Sequence, residues 1–184
     1  DRDSVPYAIL PKPKANAAEH EFAPGVAWRL IATINSIDKA SLYQMSYALS
    51  RRFGWVYVDA PQDLAGFVRE YLESKGLPVG AAGAPCPLAE MWKAINAARV
   101  IGPAPIIDAI HAIRVIAPGS SFFGPADAPM QQAALDAIDM VMLPMLDGIV
   151  HQDAMNIADA AITAFGFAGT DAERVKRLFE AVAI

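Results

Sequence analysis

The feature that most constrains this chain is a change of character at Asp59-Ala60-Pro61. Before it lie two apolar runs, Ala27 to Ile34 and Trp55 to Val58. The first shows little alternation, as expected of a strand covered on both faces within an α/β sheet. After it, apolar residues recur at helical spacing and Pro and Gly mark the breaks. Leu64, Phe67, Val68, Tyr71 and Leu72 form one such stripe, in a helix expected to begin with Pro61 in its first turn and ended by Gly76. The stretch from Leu77 to Pro87, with Pro78, Gly80, Gly83 and Pro85, reads as a loop. Helices are expected over Leu88–Arg99, Ala104–Ile116, Pro129–Leu146, Gln152–Phe165 and Asp171–Val182, with Thr170 as the N-cap of the last and Pro144 bending or breaking the one that contains it. A short helix is expected at Ser41–Ser50, and the Pro- and Lys-rich residues 1–25 suit a loop or irregular hairpin.

The expected fold class is therefore an α/β segment, residues 1–61, followed by an all-α segment, residues 62–184, mostly helical overall. Two strands do not make a stable sheet by themselves, so the first segment calls for further strands from elsewhere in the protein or from a partner. The chain begins at Asp1 with neither Met nor an apolar leader, and is read as a fragment.

Of 184 residues, 54% are hydrophobic and 19% charged, enough to bury one good core or two modest ones. A formal charge of −5 opposes a dedicated nucleic-acid surface, which needs clustered Lys and Arg. No apolar run reaches the roughly 20 residues that span a bilayer. Cys86, the single cysteine, excludes an internal disulfide and suits a reducing, cytoplasmic setting; its plain role is that of a small core or loop residue. His20, His111 and His151 lack ligand-like spacing and read as structural or exposed. Asp136 and Asp139 share a helix face with Asp147 further on, and read as a solvated face rather than a paired-carboxylate site. Met140, Met142 and Met145 read as core filling or as an adaptable partner groove.

The most informative stretch is RLIATINSIDKASLYQMSYALSRRFGWVYVDAP, Arg29 to Pro61. An apolar run ends in polar Asn35, a helix then ends in Arg51-Arg52, and Phe53 leads into a second apolar run. Singly, an Asn closing a strand is equally a turn residue, and an Arg pair at a helix C-terminus equally complements the helix dipole. In this order and spacing the segment resembles the sensor-1 to arginine-finger part of AAA+ ATPases, especially their McrB and MoxR-like (dynein-related) branch. RVIGPAPIIDAI, Arg99 to Ile110, and MVMLPMLDG, Met140 to Gly148, are similar to the helical lid of that branch.

The resemblance implies catalytic roles for Asn35, Arg51 and Arg52. Asn35 would orient the attacking water beside the γ-phosphate, and one of the two Arg would reach the neighbouring subunit's site, where a permanently charged, bidentate fork stabilises the transferring phosphoryl group. It further implies nucleotide contacts at Asn35 and the Gly102-Pro103 turn, ATP or GTP with Mg²⁺ as cofactor, a homo-oligomeric ring, and a macromolecular client or nuclease subunit as partner. In this family a basic sensor-2 residue often opens the helix after the Gly-Pro turn. Here those positions are Ala104 and Pro105, a departure from the family pattern, and Arg99 reads as a solvent-facing residue or as a substitute for that contact. The sequence contains no GxxxxGK[ST] phosphate loop, and APGSSFFGP, Ala117 to Pro125, is not one. Two other readings stand beside the motor: a non-catalytic helical interaction module, and the motor subunit of a McrB-like restriction or defence system.

Overall fold

The computed structural model describes Ala27, residues 29–33 and residues 51–184. The chain divides between Val56 and Tyr57 into two units. In the first, the described residues are Ala27, 29–33 and 51–56; residues 29–33 and 54–56 run without regular secondary structure, and 51–53 make a turn. No strand is formed among the described residues, so the α/β segment expected over residues 1–61 is not seen. The apolar side chains of the two expected strands are exposed instead, Ile31 at 88%, Val56 at 86% and Val58 at 89%. The physical reason is non-local: an apolar run becomes a strand only when a neighbour pairs with its backbone and a layer covers its faces. The expected helix at Ser41–Ser50 lies outside the described residues.

The second unit, Tyr57–Ile184, is helical. Among the described residues there are six α-helices: α1 Leu64–Ser74, α2 Pro87–Ala98, α3 Ala104–Ile116, α4 Ala128–Ala137, α5 His151–Phe165 and α6 Thr170–Ala181. Local chemistry sets their ends. The Asp63 carboxylate accepts from the Gly66 N–H at 2.8 Å and caps α1, while Gly76, at φ +64°, closes it. At that end the N–H of Leu77 reaches back to the Leu72 carbonyl at 2.9 Å and that of Gly76 to Glu73 at 3.0 Å, a Schellman closure that satisfies carbonyls the helix leaves open. α2 and α4 carry Pro87 and Pro129 in their first turns, where a missing N–H costs nothing. α5 stops at left-handed Gly166, and the Gln131 side chain of α4 donates to the carbonyls of Phe165 and Gly166, both at 3.0 Å.

The helix expected over Pro129–Leu146 is broken. The α-helix stops at Ala137, a wide π turn follows over Ile138–Met142, and a tight 3₁₀ turn over Leu143–Met145. Pro144 supplies the reason. It has no N–H for the carbonyl four residues back, and its ring crowds that carbonyl, so the ladder slackens before it and tightens around it. Thr170 also departs from expectation. It is the first residue of α6 rather than its cap, a place taken by Gly169 at φ +54° with no side-chain hydrogen bond.

One continuous core joins the helices. α2 packs most extensively on α5, α5 on α6, and α3 on α4. Trp92 is fully buried at the centre of α2, edge-on to Phe67 at 5.8 Å between centroids, and its indole N–H donates to the Ile101 carbonyl at 3.2 Å. Ile149 and Ala183 form an isolated parallel bridge. Hydrogen bonds from Gly148 N to Val182 O, Ile184 N to Ile149 O and His151 N to Ile184 O tie the end of α6 to the start of α5.

Candidate functional site

The residues the sequence singles out fall in two units. In the first unit, Arg51 and Arg52 occupy a turn and both are exposed, with Phe53 half-buried after them. Arginine carries a permanently charged, bidentate fork whose chemistry suits a carboxylate or phosphate. Asn35 lies outside the described residues.

In the second unit, Gly102 and Pro103 form the turn between α2 and α3. Asn96 and Trp92 brace it: the Asn96 Oδ1 accepts from the Ile101 N–H at 2.9 Å, and Trp92 holds the Ile101 carbonyl. Gly102 is exposed, with open space where a Cβ would stand, and α3 begins with Ala104 and Pro105 and no side-chain cap. The start of α3 therefore offers main-chain dipole but no cationic side chain. Arg99 does not take that role here. Its Nη1 donates to the carbonyls of Met145 at 2.8 Å and Asp147 at 3.3 Å, so it caps the end of the 3₁₀ turn that contains Pro144, across more than forty residues of sequence.

Several other titratable groups make contacts within the helical body. Asp136 and Asp139 share Arg174 of α6 at 3.9 and 3.7 Å, and these side chains are one-third to one-half exposed, so the ion pairs contribute at most about 1 kcal/mol. His111 Nε2 lies 2.8 Å from the Tyr71 hydroxyl, joining α3 to α1. Cys86 is buried, and desolvation is the main cause that pushes its thiol from 9.0 up to about 11; hydrogen bonds from the backbone of Ala89 and Leu88 oppose the shift, and nearby Glu90 adds to it. Among the described residues no three His, Cys, Asp or Glu side chains gather where they could hold a metal ion. Among the same residues no helix is long and apolar enough to cross a membrane.

Three contacts had no signal in the sequence: Arg99 with the 3₁₀ turn, Tyr71 with His111, and Ser120 with Asp127. The first two link residues 40 or more positions apart. The third joins a buried hydroxyl to a capping carboxylate inside a loop without a recognisable motif.

A scan against protein-family models, a search of curated proteins and a search of solved structures each returned no match.

Proposed function

We propose that this chain is the C-terminal part of an oligomeric AAA+ nucleoside-triphosphatase of the McrB and MoxR-like kind, a motor that spends ATP or GTP on remodelling a macromolecular partner. The reading is carried by the ordered segment from Arg29 to Pro61: an apolar run ending in Asn35, then Arg51-Arg52, then a second apolar run. The exposure of both arginines on one turn supports it, as does the wholly helical body that follows Pro61 in the place of a lid.

In this reading Asn35 holds a water in line with the γ-phosphate of its own subunit's nucleotide. Arg51 or Arg52 enters the neighbour's pocket and balances the charge that gathers on the transferring oxygens. That the cation comes from the neighbour agrees with Arg99 donating to main-chain carbonyls and with α3 opening without a basic residue. The residues in this sequence suit the γ-phosphate rather than the metal. Mg²⁺ would neutralise the phosphate oxygens, held by groups that belong with the phosphate loop and the acidic strand, neither of which is among these 184 residues. By itself the chain is expected not to hydrolyse nucleotide.

The test uses the protein joined to its phosphate-loop portion. Arg52→Ala or Arg51→Ala should lower kcat by about a thousandfold or more with little change in nucleotide affinity. Mixing an Arg-substituted subunit with an Asn35→Ala subunit should restore activity, since one interface in a mixed ring then holds an intact Asn and an intact Arg. Activity within twofold of wild type for both single variants and for the pair would refute the proposal. A kcat loss without restoration on mixing would place the arginine in its own subunit's pocket and overturn the intersubunit mechanism.

A further inference from the structure

One face of the helical body is built unlike the rest. Leu143 and Pro144, Leu178 and Ala181 of α6, and Val182 just after it line an open groove of about 450 Å³, and Asp139 and Asp147 complete the lining. Met140 and Met145 bracket Leu143-Pro144 in sequence and are 60% and 43% exposed. Large exposed apolar side chains beside a groove suggest contact with another molecule, and thioethers adapt their shape to what they meet.

The charges around the groove select the occupant. No cationic side chain lines it. Arg174 is divided between Asp136 and Asp139, and Arg99 reaches only the main-chain oxygen of Asp147. The Asp147 carboxylate therefore has no ion pair among the described residues, and α6 ends beside it with no basic residue in its last turn to offset the negative end of the helix dipole. The result is an apolar floor with an acidic end.

We propose that this groove docks an amphipathic helical segment of a partner protein, with apolar side chains at i and i+3 or i+4 on Leu143, Pro144, Leu178 and Val182, and a Lys or Arg meeting Asp147. The proposal rests on the helical body alone and stands or falls independently of nucleotide hydrolysis. Side chains at that spacing share one helix face, so a single turn covers the apolar floor while the flanking cation reaches its acidic end.

The experiment titrates the full 184-residue chain with a designed amphipathic peptide of Leu and Lys, about sixteen residues long so that it can hold a helix, and follows side-chain methyl signals by NMR. The expected result is saturable shifts centred on Met140, Leu143, Met145, Leu178 and Val182. A peptide with Glu in place of every Lys should bind at least about tenfold more weakly at low salt. Asp147→Lys, at an exposed position and with an unchanged helical circular dichroism spectrum, should reverse the preference between the two peptides. Equal binding of both peptides, shifts scattered over the surface, or an unchanged preference in Asp147→Lys would overturn the proposal. So would concentration-dependent pairing of the chain through these residues that the Lys peptide fails to compete away.

Discussion

Asp127 holds two partners with one oxygen. Its Oδ1 accepts from the Met130 N–H at 2.8 Å, capping α4, and from the Ser120 hydroxyl at 2.9 Å. Ser120 is the one buried polar residue among the described residues, 3% exposed. In Asp127→Ala the lost cap costs about 1 kcal/mol. The stranded Ser120 hydroxyl costs a further 1–3 kcal/mol or so, the range for a buried group left without its partner. The sum is about 2–4 kcal/mol, a large share of a small domain's stability. Asp127→Asn keeps an acceptor in place and should lose less than about 1 kcal/mol. Ser120→Ala removes the donor and leaves nothing stranded, so the double variant should be more stable than the two single losses add up to, by about 1 kcal/mol. Urea unfolding followed by far-ultraviolet circular dichroism measures all four corners of the cycle. An Asp127→Ala loss below about 0.5 kcal/mol, or strict additivity, would refute the idea that this one carboxylate oxygen joins loop and helix.

Gly80 stands at φ +97°, and a Cβ there would run into the Ser121 hydroxyl and come within 2.8 Å of the Phe123 carbonyl. Gly80→Ala should therefore lose about 2 kcal/mol or more from strain and overpacking together. Gly83→Ala, at φ +75° with open space around it, bears only the backbone strain and should lose visibly less; equal losses in thermal unfolding would count against the clash. Cys86 provides a pH test. Its folded pKa is raised, so the stabilisation it gives is complete below the ordinary value of 9.0 and is lost as the pH climbs through about 11. Between pH 8 and 11 the wild-type chain should lose stability relative to Cys86→Ala by an amount on the order of 2 kcal/mol, and at pH 8 the native thiol should resist iodoacetamide until urea unfolds the chain. Prompt alkylation of the folded protein would show the thiol to be reachable.

What could be read from the sequence follows the range over which each signal acts. Gly76 ends α1 as expected because a glycine at positive φ acts within one turn of backbone, whereas α1 starts at Leu64 under the Asp63 cap rather than at Pro61, and α2 takes in Pro87, one residue before its expected start. The disruption at Pro144 is also local, although its division into a π turn and a 3₁₀ turn is not written in the residue types. The one-residue shift at Thr170 arises because Gly169 adopts a backbone angle unfavourable to other residues and so takes the cap position itself. The expected strands are another matter. Apolar runs such as Trp55–Val58 specify what a strand needs without supplying the neighbour that makes it one, and their side chains stand exposed among the described residues. Of the candidate site, the arginines are seen on an exposed turn and the Gly102-Pro103 turn between two helices, whereas Asn35 lies outside the described residues. The engagement of Arg99 depends on a fold that brings residue 99 to residue 145, which no local pattern encodes.

The parallel bridge between Ile149 and Ala183 closes the α5–α6 hairpin at the end opposite its glycine turn. Residues just beyond a helix, when nothing ties them down, exchange their amide protons with solvent quickly. Here the amide of Ile184 is held at 2.9 Å by Ile149, and its carbonyl receives His151. The Ile184 amide should therefore exchange in step with the interior of α6 rather than ahead of it, making the two helices open as one unit, like a book clasped at its fore-edge.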